Sequence, residues 1–430
     1  MPVHSIAGTA GAFRNVLRCT VAALAFAAAP APAQDLLIPM DESQTDHLRA
    51  YGVVYRALAA GVEVDWLLNF RGGAFLAPAD AAIASDLSQN GVSYQAASGA
   101  EIRAHVDVQG ANTHAVRLET APRVAVYAPD QTLPWDDAVL LVLTYAGIPY
   151  ERIYDGDVLD GRLAEFDWLH LHHEDFTGQY GKFYASYRHQ PWYREQQAVA
   201  EASAAGRGFA KVSQLKLAVA QAIRAFVVEG GYLFAMCSGT DTFDIALAAH
   251  ATDIVPAQFD ADPVEAGAPA RLDWSPTLAF WNFMPSFNPM EYEHSNIDVS
   301  TPPALQNAAT DFFTLYDFSA RLDPVPSMLV QNHVASVPGF MGQTTAFRRQ
   351  LIKPGVVVLA ESPGRDAVRY LYGQAGRGFF AFYAGHDPED YQHFVGDPPT
   401  DLALFPHSPG YRLILNNVLF PAAKKEPQRT

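Results

Sequence analysis

From Pro122 to Met236 short buried strand signals alternate with helix-period stretches, and this alternation constrains the fold more than any other feature of the chain. "RVAVYAPD" reads as a strand, "PWDDAVLLVLTYAGIP" as a helix, and "ERIYD" and "FDWLHLHHEDF" as strands. "LKLAVAQAIRAFVVEGG" then reads as a helix and "YLFAM" as a further strand. In the second helix Val219, Ile223, Phe226 and Val227 share a face, and Gly230 and Gly231 suit a C-terminal cap. Asp136 and Asp137, following Trp135, fall in the first turn of the earlier helix, where the dipole favours acids. Parallel strands need crossover connections, so the pattern predicts an α/β fold with a doubly wound, mostly parallel sheet of flavodoxin-like type.

The flanking segments divide the chain further. Residues 34–118 read as an N-terminal α/β unit, a β-α-β whose second strand is "VEVDWLLNF" followed by a polar, Gly-containing connection, and residues 119–250 as the first part of the core. Residues 251–349 are rich in Pro and Asn and read as an insertion or cap, with short strand signals such as "PSMLVQNHV". Residues 350–430 resume the core with "GVVVLAES", a hairpin of "AVRYLYGQ" and "GRGFFAFYAGHD" turning through Ala375 and Gly376, and the helix "GYRLILNNVLF".

The chain has 430 residues, 49% hydrophobic and 17% charged, enough to bury a large core. At its start Arg14 and Arg18 precede the apolar run "CTVAALAFAAA", and Ala31 and Ala33 form an A-x-A pattern. Residues 1–33 therefore read as a secretory signal cleaved near Ala33, giving a periplasmic or secreted protein. Cleavage removes two positive charges and no acid, taking the net charge from −17 to −19. Such an acidic chain with no basic run repels polyanions, so nucleic acid is a poor partner. No later segment is long and apolar enough for a membrane span. Cleavage also removes Cys19, leaving Cys237 with no internal disulfide partner.

Cys237 lies where a strand passes into a helix, in "GGYLFAMCSGTD". Unpaired N–H groups at a helix start stabilise a thiolate, and Ala235 and Gly239 leave room for a tight turn. Ser238 with Asp241 matches a capping box, and the Ser238 N–H would serve as an oxyanion donor. The opposing expectation is a buried, inert cysteine.

These residues resemble the G-x-C-x-G elbow of the class I glutamine amidotransferase-like superfamily, with Ala235 in place of the first glycine. "FFAFYAGHDPED" resembles the strand that ends in that superfamily's catalytic histidine. The resemblance covers roughly residues 122–250 and 350–420 and implies Cys237 as nucleophile and His386 as base, with Glu389 or Asp387 orienting the ring. The acid stands one or three residues after His386, where the family has it two residues on. "GHD" is similar to the ThuA-like branch, whose members need not be hydrolases. Over its full length the chain also resembles exported bacterial proteins labelled asparagine synthetase B. It has Pro2 where a synthetase exposes cysteine, and it lacks both the S-G-G-x-D-S and the G-x-x-x-x-G-K-[ST] loops.

"WLHLHHEDF" suggests a second constellation. As one strand it would place His170, His172 and Glu174 on one side and His173 and Asp175 on the other, with next-but-one residues about 6.6 Å apart, close enough to share a metal. His170, His172, His173 and His393 are the metal-ligand candidates, against the alternative of a satisfied polar network. His173, Glu174 and Asp175 are candidates for substrate binding at the carboxyl edge of the sheet. Tyr180, Phe183, Tyr184, Tyr187 and Trp192 would either form a sugar platform or pack a cap against the core. Arg71 in "NFRGG" would hold an anion or lie in an ordinary loop. The leading expectation is a cysteine hydrolase acting on a C–N or acyl bond of a small molecule, without a cofactor. A carbohydrate-binding protein without catalysis and a metal-dependent hydrolase are the alternatives.

Overall fold

The computed structural model describes residues 34–108, 110–129, 137–300, 307, 309–390, 396 and 398–424. The expected signal segment, Trp135, Asp136 and His393 lie outside the described residues.

Two sheets organise the chain. The first comprises β1 (Asp35–Ile38), β2 (Val64–Leu68), β3 (Ala74–Ala77), β4 (Gln95–Ala97) and β5 (His114–Leu118), in the order β4-β1-β3-β2-β5. Every neighbouring pair in it is antiparallel. Helix α1 (His47–Ala59) links β1 to β2, and α2 (Ala81–Gln89) and α3 (Gly99–Val106) follow β3 and β4. The expected β-α-β unit is thus split: β3 inserts between β1 and β2 and pairs with both. It can do so because the chain turns back within Asn69–Gly73, where Asn69, Arg71, Gly72 and Gly73 all have positive φ.

The second sheet holds β6 (Val124–Tyr127), β7 (Glu151–Ile153), β8 (Trp168–Leu171), β9 (Tyr232–Met236), β10 (Phe312–Leu315), β11 (Ser336–Pro338), β12 (Val357–Glu361), β13 (Val368–Ala375) and β14 (Gly378–Tyr383). Its order is β11-β10-β12-β13-β14-β9-β8-β6-β7. Pairings from β14 to β7 are parallel, and those from β11 to β14 antiparallel. The sheet is therefore mixed where a mostly parallel one was expected. The reason is local: β13 and β14 are joined by the two residues Gly376 and Arg377, and so short a link permits only an antiparallel hairpin. That turn sits one residue later than the sequence suggested. The region expected as a cap contributes β10 and β11 to the antiparallel side.

Helices α4 (Ala138–Ala146), α5 (Asp155–Leu159), α6 (Tyr184–Tyr187), α7 (Pro191–Gly206), α8 (Val212–Glu229) and α9 (Ser238–Ala248) belong to the parallel side. The short α10 (Ala257–Asp260) and α11 (Pro324–Leu329) lie in the 251–349 region, and α12 (Pro409–Leu419) comes last. "PSMLVQNHV", expected as a strand, enters α11, whose first turn accepts Pro because those N–H groups need no partner. The parallel strands bury both faces. Val124, Val126, Trp168 and Phe234 pack with Leu48 and Tyr51 of α1, Val139 of α4 and Leu413 of α12. Ala125, Leu169, Leu233 and Phe382 pack on the other face with Val158 of α5 and Val219 and Ile223 of α8. Helices on both faces leave the carboxyl edge of the parallel strands as the place where side chains from several strand ends meet.

Candidate functional site

Four parallel strands deliver polar residues to that edge. His172 follows β8, Cys237 follows β9, His386 lies just beyond β14, and Asp137 opens α4, the first helix after β6. The expected alternation through His170–Asp175 fails beyond Leu171, the last β8 residue paired with β9. Once out of the sheet, successive side chains need not oppose each other, and the His172 and His173 rings lie 4.4 Å apart. Both turn toward His386, at 4.7 and 5.6 Å. Gly239 permits this path: its N–H donates to His172 O at 3.1 Å, and a Cβ there would stand 2.4 Å from the same oxygen.

Cys237 is fully buried and is the N-cap residue of α9, with φ 49° and ψ −138°. Ser238, expected as the cap, is the first helical residue, and Asp241, expected to complete the box, takes a hydrogen bond from Thr344 Oγ1 at 3.2 Å. The thiol donates to Gln343 O at 2.6 Å. Burial pushes its pKa well up, Asp241 and Asp387 push the same way, and the Ser238 backbone opposes them. The neutral thiol is therefore its resting form. The strap carrying Gln343 also supports the histidine, since His386 N donates to Met341 O at 2.8 Å and Met341 N to Asp387 O at 3.2 Å.

The two acids after His386 separate clearly. Asp387 Oδ1 is 2.9 Å from His386 Nδ1, and although burial disfavours a charged ring, this carboxylate outweighs it and raises the His386 pKa. Glu389 Oε1 accepts from Ser408 Oγ at 2.6 Å, and Ser408 is the N-cap of α12.

The histidines form two sets of potential ligands that share His172. One donor atom each from His172, His173 and His386 lie within 4.8 Å of one another, and so do donors from Asp137, His170 and His172. Burial, then the neighbouring His172 and His386, drive the His173 pKa well down, so that ring is a neutral, lone-pair-bearing imidazole. Asp137, read from sequence as a first-turn acid, is the N-cap of α4: its Oδ1 accepts from Val139 N at 2.8 Å and Leu140 N at 3.0 Å. Its place beside the histidines was not read from the sequence, although an Asp just before an apolar helical run is an N-cap signature.

A cavity of about 220 Å³ opens beside this cluster, its lining including His173, Glu174, Asp175, Tyr180, Phe183 and Lys216. That is below the roughly 300 Å³ of drug-sized sites and fits a small metabolite. All three residues expected to bind substrate reach it, with different tasks. Burial pushes the Glu174 carboxyl up to about 7, partly offset by Lys216. Asp175 accepts from the amides of Thr177 at 2.7 Å, Gln179 at 2.8 Å and Gly181 at 2.9 Å, and so shapes the loop that forms the wall. Lys216, which sequence alone assigns to a helix face without a role, is buried and donates to Asp155 at 2.9 Å, Tyr127 at 2.9 Å and Tyr154 at 3.1 Å.

The aromatic stretch divides likewise. Tyr180 and Phe183 line the cavity, while Tyr187 and Trp192 pack together at 5.2 Å and Tyr184 packs on Phe259 at 5.7 Å. Arg71 pairs with Asp41 at 2.7 Å and Ser43 at 2.9 Å, and the carboxylate takes the place of an external anion.

Fold and site together define a mixed α/β protein with a polar, histidine-rich edge beside a small cavity. No family model and no curated protein matches the chain. Among solved structures it is similar to the cytoplasmic protein STM3548 from Salmonella typhimurium, at 10% identity over 73% of this chain and 91% of that one, with a TM-score of 0.33. It is also similar to the cytoplasmic protein STM1381 from Salmonella typhimurium LT2, at 12% identity over 74% and 93%, with a TM-score of 0.33. At that level neither neighbour bears on the fold or chemistry of this chain.

Proposed function

We propose that the chain is a metal-dependent hydrolase acting on a C–N or acyl bond of a small substrate. The observation that carries this reading is the convergence of His172, His173 and His386 within 4.8 Å, with His173 also lining a metabolite-sized cavity. Three imidazoles are a suitable protein ligand set for Zn²⁺ with one position left open, and an ion so held lowers the pKa of a bound water to about 7. Asp387 on His386 Nδ1 is the carboxylate partner that orients a ligating ring and leaves Nε2 for the ion. His173 and Glu174 line the same cavity, and Glu174 would accept the proton of a water attacking a carbonyl carbon. Tyr180 and Phe183 offer flat apolar faces to a substrate of sugar size.

The experiment is metal analysis of protein purified without a histidine tag, with hydrolysis of an amide and ester panel before and after chelation. We expect near-stoichiometric zinc or a similar ion, activity lost on chelation and restored by Zn²⁺, and a failure of His386→Ala to recover it. Metal below about a tenth of an equivalent, together with no thermal stabilisation by added Zn²⁺, would overturn the reading.

The backbone at Cys237 favours a second reading, a cysteine hydrolase with an amidotransferase-like, doubly wound core. Its support is the strained φ of 49° at a strand-to-helix junction and the parallel run β14-β9-β8-β6-β7 beneath it. Export through residues 1–33 belongs to both readings, resting on Arg14, Arg18, the apolar run and the Ala31–Ala33 pattern.

A further inference from the structure

We propose that Asp137, His170 and His172 form a second metal site, distinct from the one beside the cavity, with His172 common to both. The three donor atoms make a nearly equilateral triangle. His170 Nε2 is 3.4 Å from His172 Nδ1 and 3.6 Å from Asp137 Oδ1, and His172 Nδ1 is 3.5 Å from Asp137 Oδ1.

These separations are long for N–H···O or N–H···N hydrogen bonds, which cluster near 2.9 Å. They match the edge of a tetrahedron of ligands each about 2.0–2.1 Å from one ion, which is about 3.4 Å. The tautomer points the same way. His170 Nδ1 lies 3.1 Å from Phe234 O, and a carbonyl only accepts, so Nδ1 donates there and Nε2 is the nitrogen that faces the triangle. A carboxylate beside two imidazole nitrogens in a closed interior is balanced by a cation, a metal ion or a proton, and the separations favour the metal. His170 and His172 are 0% and 1% exposed, and the Asp137 side chain 11%, so solvent does not screen the group.

The carboxylate is held independently of any ion, because Asp137 Oδ1 caps α4. With Nδ1 of His172 turned to this triangle, its Nε2 serves the His173 and His386 side. Two ions then share one imidazole. The ligand class is a divalent transition ion of the zinc type, bound among the described residues by two nitrogens and one carboxylate oxygen. This inference rests on the proposed catalytic site only for the sharing of His172.

The experiment loads metal-free full-length protein with Zn²⁺ and counts bound ions by mass spectrometry and calorimetry. Wild type is expected to hold two equivalents, and His170→Ala and His386→Ala one each. Asp137→Asn keeps the helix cap, and so tests the site without removing it. It should weaken one zinc equivalent at least tenfold and leave the other unchanged. Loss of zinc in His170→Ala and Asp137→Asn but not in His386→Ala would uphold this site and sink the catalytic one. A single wild-type equivalent that His386→Ala abolishes but His170→Ala and Asp137→Asn retain, or two equivalents retained in both His170→Ala and Asp137→Asn, would overturn the proposal and assign the triangle to a shared proton.

Discussion

Cys237, Tyr180, Lys182, Thr344 and Glu389 all have positive φ between 49° and 67°, and all lie in segments that build or border the site. Strain of this kind persists only where surrounding contacts impose it. Around Cys237 those contacts are Tyr383 O, which accepts the Cys237 amide at 3.1 Å, and Gln343 O, which accepts the thiol. Gly342, next to Gln343, has φ 119°, and a Cβ on it would stand 2.3 Å from the His386 ring, so the strap fits the histidine only with glycine there. The thiol should behave as a buried neutral group. Alkylation of the folded protein is expected to be slow at pH 8, with an apparent pKa above the ordinary thiol value of about 8.5 in both wild type and His386→Ala. A thiol that labels rapidly at pH 7 and slows in His386→Ala would move the chemistry from the histidine cluster to Cys237.

At the scale of elements, α12 locks the last part of the chain to the first sheet. Arg412, fully buried, donates to Met40 O at 2.7 Å just after β1, to Gly72 O just before β3, and to Tyr51 Oη on α1 at 3.2 Å. Asn416 on the same helix accepts from Tyr51 Oη and donates to Gln331 O at 2.8 Å. Replacing Arg412 with Met keeps an apolar stem but strands two carbonyls. Chemical denaturation of Arg412→Met should show a loss of roughly 3 kcal/mol. A loss under about 1 kcal/mol would mean that water replaces the guanidinium. The sequence placed this helix correctly from its apolar face, but an arginine inside an amphipathic pattern reads as a solvent-facing residue until its carbonyl partners are known.

For the whole molecule the same junction sets a pH response. His47 and His333 stack at 4.4 Å near Arg412. Burial, reinforced by the Arg412 charge, pushes His47 down to about 3 and His333 down to about 4. In the unfolded chain these rings titrate near 6.5, so below that pH the unfolded state binds protons that the folded state refuses, and stability falls as pH drops. For His47 this amounts to about 1.4 kcal/mol per unit, roughly 2–3 kcal/mol by pH 4.5. Replacing His47 with Gln should flatten the wild-type loss between pH 6.5 and 4.5 by about that amount in denaturation measurements. Equal pH slopes for both proteins would show that other groups set the acid limit. Glu174 and Asp241, both raised to about 7 by burial, act in the opposite direction as pH rises through 4 to 7, which is why the comparison must be made between variants.

What the sequence alone determined is local: the α/β class, most strands and helices of the parallel side, the strand-to-helix turn at Cys237, and the His170–Asp175 and His386–Asp387 segments. Each follows from periodicity or from the residue types a turn requires, and these act over a few neighbours. Tertiary structure decided the rest. It split the N-terminal unit with β3, made the large sheet mixed through the Gly376–Arg377 turn, and drew part of the 251–349 region into that sheet. It also sent Glu389 to Ser408, set Asp387 beside His386, and brought Asp137 to His170 and His172 across more than thirty residues of chain. Those pairings depend on which strand ends share an edge. That is decided by how both faces of the sheet are covered, and it leaves no periodic trace in the order of residues.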